Sequence, residues 1–359
     1  MKKRILALAL AALLCLGLLV GCGNNTAQPT GSTEPKPVSI SQQAIDSGNI
    51  QYYFMTNDGA FVSTDKYYTR WGDSCLIVFP DGKTMLIDTG LEDFYPILKE
   101  KLTELQVTAI DYMVFSHPHS DHCGGAWTEL FEDFTIGHVY HNGAKNLNWK
   151  DSSHIEAVCQ QHSIPCTAWK AGDTMQFGNA DNPVKMQVLW PTAEAAAELE
   201  DIQTTPSINN LSLVMRFDYG EHSSLFTGDI YQTNHAKTGE EQVPGYAGTE
   251  EQLVSMYEGG ELDVDLLKLP HHGNPITSNS QGFLNAVSPQ YAVATSFEPV
   301  APYLSYYTQR GMKCAVFFDR MYGNIHIQAG ADGKITCQTS RATYPEGFTA
   351  DWSENEKVK

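Results

Sequence analysis

The sequence predicts an α+β fold in which two β-sheets pack face to face and helices cover their outer faces. Three observations predict it. Short apolar runs closed by turn residues recur from Gln51 to Ile327, segments with apolar residues at helical spacing lie between them, and both halves of the chain mix hairpins with helices. Apolar sheet faces and apolar helix stripes are buried together most simply as stacked layers. At 359 residues the chain is longer than the usual domain, but a large layered unit uses most of it.

The first residues stand outside that fold. Lys2, Lys3 and Arg4 form a basic start, Ile5 to Leu19 an apolar run, and small residues precede Cys22, the pattern of a secretion signal over residues 1–21. The run is short for a membrane span, and Gly21-Cys22 closes it. Leu19-Val20-Gly21-Cys22 resembles the lipobox of bacterial lipoproteins, which implies lipidation of Cys22 and an extracytoplasmic, membrane-anchored bacterial protein. Residues 22–45 are expected as a disordered tether, because Gly23 to Pro37 is polar and buries too little apolar surface to offset the entropy of ordering. A globular body over residues 46–345 and a polar tail over 346–359 complete the expected organisation.

Within the body, Gln51 to Phe54 leads to Gly72–Phe79 and Thr84–Asp88, two strands joined by the Pro80-Asp81-Gly82-Lys83 turn. Leu91 to Leu105 carries Phe94, Ile97, Leu98, Leu102 and Leu105 at helical spacing. Tyr112–Phe115 is a buried strand, and Gly124-Gly125 opens a helix over Ala126–Phe131. A strand at Val139-Tyr140, a helix from His154 to Gln161 and a strand at Met186–Trp190 continue the alternation. Leu211–Phe217 and Ser224–Thr227 form a second hairpin, followed by a helix near Glu250–Tyr257 and a strand at Val264–Leu269. Tyr291–Thr295, Ala315–Phe318 and Gly323–Ile327 are further strands.

Chemistry collects at three strand ends. Ser116-His117-Pro118-His119-Ser120-Asp121-His122 follows the first, Gly228-Asp229 the second and Pro270-His271-His272-Gly273 the third. Three imidazoles and a carboxylate between His117 and His122 are ligands suited to a first-row divalent metal, and one loop holds them at small entropic cost. Strand carboxyl ends are where open α/β layers gather ligands. No Gly-x-Ser-x-Gly elbow, P-loop or dinucleotide fingerprint competes with this reading. The net charge of −19 opposes general adhesion to polyanions, and no basic stripe tracks a phosphate backbone. Nucleic acid is thus expected only as a substrate, and the chain as a monomer.

Of the eight cysteines, Cys15 lies in the signal and Cys22 at its end, which leaves six in a compartment that permits disulfides. Cys159 with Cys166 and Cys314 with Cys337 are the pairs their spacing allows; free thiols are the alternative, preferred for Cys75 and Cys123.

In order, Asp88 within Leu86-Ile87-Asp88-Thr89-Gly90, the His117–His122 loop, Thr227-Gly228-Asp229 and His271-His272-Gly273 resemble the metallo-β-lactamase superfamily of metal-dependent hydrolases. The resemblance covers about Gln51 to Gln338 and implies a four-layer αββα sandwich. Gly72-Asp73-Ser74, Asn209–Val214 and Leu267–Gly273 are most similar to the hydrolase domain of ComEC-type competence proteins, with a further similarity to phosphorylcholine esterases. The resemblance implies two divalent ions, zinc first and manganese second, that share a hydroxide nucleophile. His117 and His119 would bind one ion, Asp121, His122 and His272 the other, and Asp229 would bridge them. His272 is preferred to His271 as ligand. Asp121, His271 and Asp88 are the expected catalytic group: His271 as proton donor or charge binder, or else as a hydrogen-bonded histidine behind the ligands, and Asp88 as a carboxylate that orients a ligand, while Lys268 neutralises local acidity or lies on a helix-covered face.

The superfamily usually places another histidine before Leu211, where this chain has Asn209-Asn210. An amide oxygen is a poorer zinc ligand than imidazole, and His141 is the expected replacement among His138, His141, His154 and His162. The leading function is hydrolysis of small-molecule or polymer phosphodiesters. Cleavage of β-lactam or lactone rings and a non-catalytic, metal-dependent binding lipoprotein are the alternatives. Trp127, Trp149, Tyr140, Tyr303, Tyr306, Tyr307 and Tyr322 could line a choline cage or stack on bases, or simply pack.

Overall fold

The computed structural model describes residues 38–56, 72–148, 155–199, 201–232, 248–295 and 315–341. Their strands are β1 Ile50–Phe54, β2 Cys75–Val78, β3 Thr84–Ile87, β4 Ala109–Phe115, β5 Thr135–His141, β6 Cys166–Ala168, β7 Thr174–Phe177, β8 Val184–Trp190, β9 Val214–Tyr219, β10 His222–Phe226, β11 Leu266–Lys268, β12 Tyr291–Ala294, β13 Ala315–Phe318, β14 Ile325–Ala329 and β15 Ile335–Thr339. One sheet runs β15-β14-β1-β2-β3-β4-β5-β6, the other β13-β12-β11-β10-β9-β8-β7.

Between the sheets lies a core of Tyr52, Ile77, Met85 and Val114 against Met186, Met215, Phe217 and Phe226. The outer face of the first sheet, with Leu76, Leu86 and Met113, packs on Leu98 and Leu102 of the helix Tyr95–Glu104. The outer face of the second, with Leu225, Leu267 and Ala292, packs on Leu253 of the helix Thr249–Met256 and on Phe283 and Leu284 of the helix Gln281–Val287. That is the expected αββα sandwich. Strands covered on both faces need apolar residues at every position, which is why all residues of β2, β3 and β11 are buried, Lys268 included.

Four local expectations are corrected. The tether does not extend to residue 45: Ile40–Ser47 is a helix capped by Ser39, with Ile40 and Ala44 buried against the first sheet's cover. The single helix over Ala126–Phe131 is instead Ser120–Cys123, a 3-10 turn Gly124–Trp127, and Leu130–Asp133. A Cβ on Gly124 would lie 2.4 Å from the Glu92 nitrogen, and one on Gly125 2.7 Å from the Thr89 Cβ; the two glycines let this backbone press against the turn after β3. The strand expected from Leu211 starts at Val214, because a Thr204/Ser207 capping box and Pro206 in the first turn begin a helix, Thr205–Asn209, just before it. The helices Ala193–Leu199 and Gln281–Val287 were not expected. The expectations for the signal and Cys22, for Trp149, His154, Tyr303, Tyr306, Tyr307 and Cys314, and for the 346–359 tail lie outside the described residues.

Candidate metal centre

The three strand ends converge. At the end of β4, Asp88 anchors the histidine loop: its Oδ1 accepts from the Ser116 N–H at 2.7 Å, and its Oδ2 from the Ser116 hydroxyl at 2.7 Å. The same Oδ2 stands 2.8 Å from His122 Nδ1. His119 caps the short helix Ser120–Cys123, and the Thr89 N–H donates to the His122 carbonyl at 2.7 Å. The sequence thus spends a strand-end carboxylate on orienting the loop, and Nε2 of His122 is left to face inwards.

Asp229 follows β10, its N–H held by Ser212 Oγ at 3.0 Å. Asp229 Oδ2 lies 3.1 Å from His122 Nε2 and 3.2 Å from His272 Nε2. His272 Nε2 also lies 3.2 Å from Asp121 Oδ2, and its Nδ1 lies 2.9 Å from Asp73 Oδ1. Asp88, His271 and His272 all adopt positive φ, 58°, 48° and 57°, a conformation that non-glycine residues hold only where surrounding contacts enforce it.

On the other side of the cluster, His117 Nε2 and His119 Nδ1 stand 3.0 Å apart, and Ser116 Oγ contacts His117 Nδ1 at 3.1 Å. Burial, followed by the neighbouring histidines, lowers the His117 pKa well below its ordinary value; burial also lowers that of His119. Both rings are therefore neutral at neutral pH, with lone pairs available to a cation. Asn209, at the end of the helix Thr205–Asn209, places its side-chain amide against His119.

Electrostatics on the Asp229 side run the other way. Burial alone would raise the carboxyl pKa values of Asp73, Asp121 and Asp229, yet the adjacent histidines, and for Asp73 chiefly Lys268, hold all three well below the ordinary range. Burial alone would lower His122 and His272, but Asp229 and its neighbouring carboxylates raise both well above the ordinary value. Asp88 is raised, since its burial outweighs His122. Lys268 is 4% exposed, contacts Asp73 Oδ2 closely, donates to the Gly228 carbonyl at 3.0 Å and lies 3.6 Å from Asp229 Oδ1.

These residues fit a divalent cation. Asp73, His122, Asp229 and His272 each offer a ligand atom, all within 4.8 Å of one another. His122 Nε2 stands 3.1 Å from Asp229 Oδ2, and Asp229 Oδ1 is buried without a hydrogen bond. Leaving a buried polar atom unsatisfied costs about 1–3 kcal/mol, a cost that a cation held by Asp229 with His122 and His272 would remove. Asp73 approaches His272 from its Nδ1 side and is paired with Lys268, whereas Asp121 stands on the Nε2 side with Asp229.

Residues 68–273 match the profile of the Metallo-beta-lactamase superfamily. The chain belongs to that superfamily. It is accordingly a hydrolase of a class that works with divalent metal ions, and the cluster at the strand ends is its candidate metal site. The competence protein ComA of Neisseria gonorrhoeae is 42% identical over 150 residues, which are 42% of this chain and 19% of that protein. The metallo-beta-lactamase fold protein YhfI from Bacillus subtilis is 12% identical with a TM-score of 0.43, over 81% of this chain and 100% of that one. A diphosphatase of the PhnP family is 14% identical with a TM-score of 0.38, over 81% and 97% of the two chains.

Of the residues expected around the metals, His122, Asp229 and His272 fall in the candidate metal group, Asp121 contacts His272, His117 and His119 contact each other beside His122, and Asp88 holds His122 from behind. His271 stands at the edge of the cluster: Nε2 is 3.9 Å from Asp229, Nδ1 contacts the Thr277 hydroxyl, and the Tyr231 ring is 4.9 Å away. His141 is not brought in; its Nε2 lies 3.6 Å from Glu156, and His138 stacks on Tyr140. Tyr140 is itself sandwiched by Trp169 at 3.9 Å, as packing rather than a cage. Sequence reasoning missed Asp73, Thr295 and Ser116 as parts of the site, whereas Lys268, expected to neutralise local acidity or to lie on a helix-covered face, pairs with Asp73 and Asp229. One signal for Lys268 was present: a charge inside the apolar run Leu266-Leu267-Lys268-Leu269 has to find a buried partner.

Proposed function

We propose that this superfamily member is a surface-anchored lipoprotein that hydrolyses phosphodiester-like substrates, nucleic acid or phosphorylcholine-type esters, with two divalent ions. The observation that carries the two-ion reading is the split character of the cluster. Neutral His117 and His119 beside Asn209 would offer one set of ligands, Asp121, His122 and His272 another, and the Asp229 carboxylate, 3.1 Å from His122, would serve both. Zinc is the preferred ion, with manganese favoured if the amide oxygen of Asn209 weights the first site toward oxygen ligands. When bound, the ions supply Lewis acidity and lower the pKa of water toward neutrality.

The chain's own residues prepare that chemistry. Asp88 and Asp73 each hold a histidine Nδ1, which fixes both rings with Nε2 toward Asp229. Lys268 offsets the surplus carboxylate charge from behind the site. His271, beside Asp229, is placed to hydrogen-bond charge that develops on the substrate. The phosphodiester preference rests on the likeness to a competence protein over 150 residues and on the shared Asn209-Asn210 and His271-His272-Gly273 phrases. The anchor rests on the basic start, the apolar run and Cys22.

The test measures bound metal and turnover of bis-p-nitrophenyl phosphate, p-nitrophenyl phosphorylcholine and nitrocefin for the wild type and Asp121→Ala. Phosphodiester cleavage that disappears in the variant, together with loss of one bound ion, is expected. Nitrocefin turnover without phosphodiester cleavage would replace this reading with lactam hydrolysis. Metal without any turnover would favour the binding role. For the anchor, labelled palmitate should enter the wild type and not Cys22→Ala; equal labelling would reject Cys22 as the site.

A further inference from the structure

Away from the metal centre, Cys159, Cys166, His141 and Glu156 meet at the β6 edge of the first sheet. Cys159 lies in the helix Ile155–His162 and is 1% exposed; Cys166 opens β6, pairs in register with Val139 of β5 and is partly exposed. The chain reverses between them through Ser163, at φ 57°, with the Ile164 N–H donating to the Cys159 carbonyl at 2.8 Å. This reversal brings the two thiols into hydrogen-bond contact, and the His141 ring contacts Cys166 as well.

The tautomer of His141 follows from its neighbours. The Gly143 N–H donates to His141 Nδ1 at 3.2 Å, so the neutral ring carries its proton on Nε2, the atom 3.6 Å from Glu156 Oε1. A hydrogen bond from the His141 ring to Cys166 favours the thiolate. The Cys159 thiol hydrogen bond first, and His141 second, lower the Cys166 pKa against the opposing effect of burial. Cys75 and Cys123 form the contrast: both are buried, and burial raises both. Reactive thiols are those that combine thiolate character with access, and Cys166 combines them.

We propose that Cys159 and Cys166 form a thiol–disulfide exchange site for a low-molecular-weight disulfide of the glutathione class, in which Cys166 attacks and Cys159 resolves. The Cys166 thiolate bonds to one sulfur of the incoming disulfide, whose S–S bond breaks; the departing thiolate takes up the proton that Cys166 released. Cys159 then gives its proton to the second leaving thiolate as its sulfur bonds to Cys166 Sγ. Two protein thiols are oxidised to one disulfide, and the small disulfide is reduced to two thiols, with no other electron carrier. His141 is a positioning residue, acting through the Cys166 thiolate.

The full chain, reduced and then exposed to oxidised glutathione, is quenched by alkylation and mapped by mass spectrometry. The wild type is expected to accumulate the 159–166 bridge, preceded by a transient glutathione adduct on Cys166. Cys159→Ser should trap that adduct, while Cys166→Ser should leave Cys159 unmodified. In His141→Gln the pH midpoint of Cys166 alkylation should rise by about one unit or more, a shift that a purely structural role for the ring does not produce. The proposal is overturned if wild-type Cys159 and Cys166 stay alkylatable, or if Cys166 of Cys159→Ser takes up glutathione no faster than Cys75 and Cys123. Those two buried cysteines also report unfolding of a variant; in that event the order of the wild-type species decides.

Discussion

Replacing Asp73 by Asn isolates how the site is held together. Asp73 is buried, and its carboxylate serves three partners: Lys268, His272 Nδ1 at 2.9 Å, and the Thr295 hydroxyl. An amide keeps one acceptor oxygen and turns the other position into a donor, so either Lys268 or His272 must face a like donor. Lys268 would retain the Gly228 carbonyl at 3.0 Å and Asp229 at 3.6 Å. Breaking a buried ion pair on one side costs about 3–5 kcal/mol of stability, and losing the carboxylate that orients a ligating histidine costs roughly 10- to 100-fold in metal affinity. The metal-free variant should therefore unfold at clearly lower urea, and calorimetric zinc titration should show one ion bound 10- to 100-fold more weakly. Binding within about twofold of wild type, with unchanged stability, would refute the orienting role; complete loss of that ion would make Asp73 itself a ligand.

The remaining predictions concern charge and backbone. In the metal-free protein the depressed carboxyls of Asp73, Asp121 and Asp229 contribute stability that is full above about pH 3.9 and is lost as pH falls through their lower folded values. The raised His122 and His272 contribute stability that is full below about pH 6.5 and is lost as pH rises through their folded values. The depressed His117, His119 and His271 remove stability as pH falls below about 6.5, so melting temperatures of the chelated protein should peak toward the upper limit; stability still rising well above neutrality would contradict the pairing. Metal displaces protons from the same two histidines, so zinc titrations in buffers of different ionisation enthalpy should report proton release, and a heat independent of buffer would reject it. Lys268→Met should raise the acid midpoint of unfolding, because Asp73 and Asp229 lose their buried cation; an unmoved midpoint would mean that the histidines alone hold them. Gly228 has φ +50°, and a Cβ there would lie 2.6 Å from the Ser212 Cβ, so Gly228→Ala should cost about 1–3 kcal/mol in urea unfolding and displace Asp229.

Much of the candidate cluster was legible because its loop residues lie close in sequence: His117, His119, Asp121 and His122 share one turn, and their spacing points to metal chemistry. The choice of His272 over His271 was legible only through resemblance; adjacent histidines differ by which ring the backbone at φ 57° turns toward Asp121 and Asp229. His141 failed as a ligand because its strand end faces Cys166 and Glu156. Asn209, buried with its side chain against His119, stands at the position that was read as a deficit.

Local sequence thus determined the layered class, through turn residues and the apolar periods of strands and helices, and it determined the metal chemistry, through residue types packed into six positions. Tertiary structure alone decided the second layer of the site. Asp73 and His272 are 199 residues apart and Asp73 and Thr295 222 apart, so no local pattern encodes their contact. The two sheets bring them together when they bury their apolar faces. Burial then makes the arrangement binding, because a lysine and carboxylates removed from water must satisfy one another.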